Sequence, residues 1–276
     1  MSYILTTQCS DEIGLIAKIT SLCHEHNLNI VRNNEFVDTD NKRFFMRTEL
    51  TGSPTNLFLS QLQMNLPDDA QIKLHSPTKV KVVLLATKEA HCLGGALLKQ
   101  YENALNIEIQ AVIANYPDLK PLAEAFNVPF HCISHEGVSR TEHDQQVGDL
   151  IANYQPDLIG LAKYMRILSP EFVARFENKI INIHHSFLPA FIGAKPYHQA
   201  FARGVKIIGA TAHFVNNELD EGPIIVQDVT QITHADNAEA MAKIGRDIEK
   251  AVFCNALQLA SERKLFINGT KTVVFK

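Results

Sequence analysis

Residues Lys179–Gly222 read KIINIHHSFLPAFIGAKPYHQAFARGVKIIGATAHFVNNELDEG. The first apolar run has strand length and ends in Asn182-Ile183-His184-His185-Ser186. A loop punctuated by Pro189 and Gly193 follows, then a short helical segment over 196–202. A second apolar run, 206–215, carries His213 and leads into a polar loop ending in Asp220-Glu221-Gly222-Pro223. Amide, imidazole and carboxylate thus gather at the ends of two strands, where open α/β sheets build their sites.

Working outward, the pattern before this stretch alternates. A nearly continuous apolar run, 79–86, has the character of a strand buried on both faces. It is followed by helix 92–104, strand 107–114, helix 119–126, strand 128–133, helix 143–154, strand 158–162 and helix 170–175. Alternation at this spacing predicts a doubly wound, mostly parallel α/β sheet with right-handed crossovers. After the stretch, 238–263 forms a long amphipathic helix with Met241, Ile244, Ile248, Val252 and Leu257 on one side, and a strand-like piece at 271–275 ends the chain.

The first 78 residues follow another grammar. Strand 3–8, helix 14–26, strands 28–38 and 43–50, helix 54–64 and strand 71–75 give β-α-β-β-α-β, the split βαβ ferredoxin-like order, an α+β arrangement. Asp11 is placed to cap the first helix. The Ser76-Pro77 break sets the division: an N-terminal domain over 1–78 and a second domain over 79–276.

The chain has 276 residues, 46% hydrophobic and 20% charged, with a net charge of −4. These values fit a globular protein and argue against a nucleic-acid partner, which calls for a basic face. Five scattered cysteines without a CxxC pair fit a reducing compartment. No signal-like start or long apolar run is present, so a cytoplasmic protein without membrane attachment is expected. Absent too are GxGxxG after a strand, a P-loop, GxSxG and HExxH. Among His184, His185, His198 and His213 no pair has helical ligand spacing, so no metal site is expected.

Asn182 and His184 are two apart on one strand and share a face. An amide N–H beside an imidazole can stabilise the oxyanion formed when a carbonyl is attacked. Asp220 can accept a proton from the nucleophile or hold His184 in its charged form. No covalent nucleophile is evident, so direct attack by water or an amine is the natural chemistry. His91, His135, His198 and His213 could stand behind these groups, although a lone histidine is more often structural.

The run NIHHSFLPAFIGAKPYHQAFARGVKIIGATAHFV with LDEGPII resembles the formyltransferase family that uses 10-formyltetrahydrofolate, over residues 80–275. The resemblance implies that Asn182, His184 and Asp220 are catalytic and that 10-formyltetrahydrofolate is substrate, with no resident cofactor. It also implies that Met165, Arg166, Ile167 and Leu168 line a pterin pocket, with His185, Gly193 and His213 in the substrate-binding set. The segment Thr87-Lys88-Glu89-Ala90-His91-Cys92-Leu93-Gly94 stands where the glycinamide ribonucleotide transformylases of the family keep a phosphate-binding loop. Glu89 would repel a phosphate, although Lys88 partly offsets this. His185 stands where those enzymes place a proline. The hydrolytic branch is therefore implied: 10-formyltetrahydrofolate and water give formate and tetrahydrofolate, feeding purine synthesis and balancing the one-carbon pool. Asn182 and His184 would then stabilise the oxyanion and Asp220 accept the proton from water. The alternative is formyl transfer to an amine such as glycinamide ribonucleotide, and a non-catalytic folate sensor is a third reading. The first 75 residues, through the strand followed by DEIGLIAKIT, resemble the ACT family of regulatory domains. That implies a homo-oligomer and an amino-acid effector near Asp11 and Gly14.

Overall fold

The computed structural model describes residues 2–190 and 196–276. The chain divides into two compact units. One comprises Met1–Thr78 with Arg263–Phe266 and Val273–Lys276; the other comprises Lys79–Glu262 with Ile267–Thr272. The end of the chain therefore groups with its beginning, a long-range return that no local pattern announces.

In the first unit the elements are β1 (Tyr3–Ser10), α1 (Leu15–Glu25), β2 (Asn29–Asp38), β3 (Arg43–Thr51), α2 (Asn56–Asn65) and β4 (Gln71–His75). They form a four-stranded antiparallel sheet in the order β2-β3-β1-β4. Leu15, Ile19, Leu22 and Cys23 of α1 and Phe58 and Leu62 of α2 are buried with Leu5, Phe44 and Met46 of the sheet. Burial of such side chains stabilises the fold by about 1.5–3 kcal/mol each. Asp11 does not cap α1. The N-cap is Gly14 at φ 90, a left-handed conformation natural to glycine, and no side chain caps the helix. Asp11 is exposed and uses its backbone N–H on the Lys42 carbonyl. Asn27 at φ 55 ends α1 as its sequence suggests.

The second unit runs β5 (Val80–Ala86), α3 (His91–Tyr101), β6 (Ile107–Ala114), α4 (Lys120–Ala125), β7 (Phe130–Cys132), α5 (Arg140–Tyr154), β8 (Leu158–Ala162), α6 (Pro170–Arg175), β9 (Ile180–His184), α7 (Pro196–Arg203), β10 (Ile207–Phe214), β11 (Ile224–Gln231) and α8 (Ala238–Ser261). Two short strands, β12 (Leu265–Asn268) and β13 (Lys271–Val274), pair with each other at the end of the chain. The seven-stranded sheet has the order β11-β10-β9-β8-β5-β6-β7. From β7 to β9 all pairings are parallel; β10 and β11 join antiparallel. The order changes direction at β5, whose neighbours are β6 and β8. Besides β12, which the sequence expectation lacks, and α3, which ends three residues earlier than expected, two elements depart from it. The strand β11 is absent from it because IIVQDVTQ mixes polar and apolar residues, as an edge strand partly open to solvent does. Helix α5 begins three residues earlier than its apolar spacing indicates, because the Ser139 side chain accepts from the Glu142 N–H and starts it there.

Candidate active site

Asn182 and His184 lie on β9, whose antiparallel partner β10 places His213 directly opposite Asn182 and Thr211 opposite His184. Directly opposed residues point to the same face of a sheet, and the register thus puts amide and imidazole together. Asn182 Nδ2 stands 3.2 Å from His213 Nε2, and His213 Nδ1 lies 2.8 Å from the Phe214 carbonyl. A carbonyl only accepts, so Nδ1 carries a proton, and in the neutral form of the ring Nε2 is left to accept from Asn182. This fixes the amide's orientation.

Asp220 arrives from the loop between β10 and β11. Its φ of 58 lies in the left-handed region, which costs a residue bearing a Cβ about 1–2 kcal/mol. The loop folds back because Phe214 N–H donates to the Pro223 carbonyl, and Gly222 packs so closely that a Cβ there would meet the Phe214 oxygen at 1.7 Å. The result brings Asp220 Oδ2 to 3.3 Å from His184 Nδ1 and Oδ1 to 3.7 Å from His213 Nε2. Burial acts to raise the Asp220 pKa, but hydrogen bonds and charge interactions with His184 and His213 outweigh it and hold the carboxyl well below the usual range. Asp220 is therefore ionised at neutral pH. The other ring nitrogen of His184, Nε2, is buried without a hydrogen-bond partner among the described residues.

These groups line a cavity of about 670 Å³. Its apolar side comes from the loop after β8. Met165 and Ile167 are more than half exposed although apolar, and both line the cavity. Three anchors hold this loop: Met165 N–H donates to Thr87 Oγ1 at 3.0 Å, Ser169 N–H to the buried Asp144 carboxylate at 2.7 Å, and the Arg140 guanidinium to the Leu168 carbonyl. Ser169 also caps α6 by accepting from Phe172 N–H. Arg166, Leu168, His185 and His213 line the same cavity. Gly193 lies outside the described residues. Of the remaining histidines, His135 stacks edge-on against Tyr116 and His143, and His198 is exposed on α7.

One group of residues is not foreseen as a group, although His91 within it is singled out in the sequence. Glu249, on α8, is 1% exposed and accepts from His91 Nε2 at 2.8 Å, Lys163 Nζ at 3.0 Å and the Tyr197 hydroxyl at 2.6 Å. Burial would raise its pKa; the His91, Lys163 and Tyr197 partners reverse this and hold it at about 2. The signal was a glutamate beside Ile248 on the apolar stripe of a long helix. His91, Cys92 and Glu249 present ligand atoms within 4.8 Å of one another. Both Glu249 oxygens already accept hydrogen bonds, however, and burial pushes the Cys92 thiol far above its ordinary pKa. A thiolate is what a metal needs. The group is a buried ion cluster.

A family model for formyl transferases matches residues 80–257. The chain belongs to the formyl transferase family. Within it, the chain is 57% identical to the formyltetrahydrofolate deformylase of Haemophilus influenzae, with 98% of each sequence covered. The crystal structure of the formyltetrahydrofolate deformylase of Burkholderia mallei superposes with a TM-score of 0.95 at 36% identity, covering 100% of this chain and 99% of that one. A glycinamide ribonucleotide transformylase from Symbiobacterium toebii superposes with a TM-score of 0.70 at 28% identity. It covers 73% of this formyl transferase chain and 97% of its own. The deformylases thus match the whole length, whereas this transformylase leaves over a quarter of the chain unmatched. No helix among the described residues is long and apolar enough to cross a membrane.

Proposed function

We propose that the protein hydrolyses 10-formyltetrahydrofolate to formate and tetrahydrofolate, with Asn182, His184 and Asp220 as its catalytic residues. The observation that carries the mechanism is the state of His184, a residue of the cavity wall: Nδ1 is against a carboxylate and Nε2 is buried with no hydrogen-bond partner among the described residues. With its Nδ1–H directed to Asp220, the neutral ring presents a lone pair at Nε2. Water attacks the formyl carbon as its proton passes to Nε2. Asp220 steadies the imidazolium, and the second N–H of Asn182 stabilises the new oxyanion. Collapse then breaks the bond between the formyl carbon and N10. The imidazolium returns its proton to N10, and formate and tetrahydrofolate leave.

This assigns Asp220 the holding role of the two that its sequence position allows, because a carboxylate with a strongly depressed pKa is a poor base by itself. Met165, Arg166, Ile167 and Leu168 form the pterin side, with His185 and His213 beside the reacting centre. Transfer to an amine is the weaker reading, since the relatives matched along their whole length carry the name of a deformylase. Purified protein incubated with 10-formyltetrahydrofolate and no amine acceptor tests the choice. Formate should accumulate above the blank; its absence sinks the hydrolytic reading.

For residues 1–78 we read an ACT-type regulatory domain and a homo-oligomer. The support is the β2-β3-β1-β4 order, the open end of α1 at Gly14, and exposed apolar side chains at Ile13, Val31 and Phe36. Binding of an amino acid near Asp11 and Gly14 is tested by turnover with an amino-acid panel. Five free cysteines support a cytoplasmic setting.

A further inference from the structure

Lys163 is held in the cavity wall against several opposing costs, and the chemistry above leaves it unused. Its backbone sits at φ 61, a conformation that penalises a residue bearing a Cβ. Its side chain is 4% exposed, so its ammonium has been taken out of water. It is held there by Glu249 of α8, itself fixed by His91 at the start of α3 and Tyr197 of α7. Helix α8 has a glycine at 245, where a Cβ would stand 2.0 Å from the Tyr197 hydroxyl. His185 lies between this cluster and the reacting centre, its ring centroid 5.1 Å from that of His184 and 6.2 Å from that of Tyr197. Lys163 and His185 line the cavity, and the carboxylate, imidazole and phenol that brace Lys163 stand behind them.

We propose that Lys163, braced by Glu249, is the specificity-determining residue that keeps amines from the formyl carbon and leaves water as the acceptor. A paired lysine cannot swing away, so it closes the volume that an amine and its substituent would occupy. Water needs no such volume. The same fold serves transformylases, so the fold itself does not select water. This inference rests on the hydrolytic reading.

Without the wall, the nitrogen of a small primary amine would bond to the formyl carbon as the carbon–N10 bond breaks. The proton lost by that nitrogen ends on N10, giving an N-formyl amine and tetrahydrofolate. Glycinamide is the probe. The test variant is the double substitution Lys163→Gly with Glu249→Gln. Glycine suits φ 61, and glutamine leaves no unpaired buried charge. Lys163→Met keeps the bulk without the charge. With 10-formyltetrahydrofolate and millimolar glycinamide, the ratio of N-formylglycinamide to formate should rise at least tenfold in the double variant and rise less in Lys163→Met, whose side chain keeps the bulk but has no partner to hold it. An unchanged ratio in a folded double variant overturns the proposal. Loss of all formate release in that variant also overturns it, by placing Lys163 in the chemistry. The wild-type enzyme gives an independent check whatever the variants do: formylation of glycinamide at a rate comparable to hydrolysis refutes the wall. Failure of the hydrolytic reading is distinguishable, because it shows as no formate from wild type in the absence of amine.

Discussion

Replacing Asp220 with asparagine conserves shape and removes one charge. Its carboxylate lies 3.3 Å from His184 Nδ1, with both side chains largely buried. Opposite unit charges at that distance attract by about 5 kcal/mol at an effective dielectric of about 20. If this attraction develops only as His184 takes the proton from water, its loss falls on the transition state. At about 1.4 kcal/mol per tenfold, the Asp220→Asn variant should lose about three to four decades in kcat. Affinity for tetrahydrofolate should change little, because the apolar loop after β8 supplies that side of the cavity. The assay is formate release under saturating substrate, with tetrahydrofolate binding and a thermal melt as controls. Stability has a defined sign. A carboxyl whose folded pKa is depressed contributes stability above about pH 3.9, and loses it as pH falls toward the depressed value. Variant and wild type should therefore differ in melting temperature at pH 7 and converge in strong acid. A folded Asp220→Asn variant within tenfold of wild-type kcat would refute the holding role.

Asn182→Ala should reduce kcat by about 10²–10³ with a small effect on KM, as loss of one oxyanion donor does; an effect confined to KM would move Asn182 to binding. Gly222→Ala cannot be accommodated without moving the loop, because its Cβ would meet the Phe214 oxygen at 1.7 Å. Formate release should fall more than tenfold while core stability changes less, and full activity would show that the loop does not position Asp220. Thr211 is fully buried; its hydroxyl donates to the Ser186 carbonyl and accepts from Leu188 N–H and Gln227 Nε2. Thr211→Val leaves buried partners unpaired and should cost about 1–3 kcal/mol in denaturant unfolding. Burial, then the neighbouring Lys163 and His184, depress the His185 pKa to about 4. The unfolded chain binds that proton near pH 6.5, so stability should drop by about 2 kcal/mol between pH 7.5 and 5. His185→Gln should remove that part of the dependence, and an identical slope in the variant would contradict it.

Much of this protein is legible in its residues. The alternation of buried apolar strands with amphipathic helices over 79–183 marks the parallel sheet, because each element states locally which face it buries. Ser169-Pro170 announces α6 through a local capping bond. The pairing of Asn182 with His184 follows from the two-residue period of a strand. Local signals mislead where a competing local structure wins. Asp11 has the chemistry of a cap, yet Gly14, by entering the left-handed region, starts the helix three residues later.

Tertiary structure decided the rest. His213 meets Asn182 only through the antiparallel register of β9 and β10, and Asp220 reaches His184 only because the loop folds back past Gly222. Lys163 and Glu249 are 86 residues apart, so no spacing rule joins them. The sequence by itself determined which groups can accept protons, bear charge or stabilise an oxyanion. Distances, burial and the shifted pKa values arise from packing segments that are remote along the chain. For that reason Asn182, His184 and Asp220 alone allowed no more than acyl chemistry at a polar site, the resemblance of the surrounding stretch pointed to the reaction class, and the roles proposed for Asp220 and Lys163 rest on the fold.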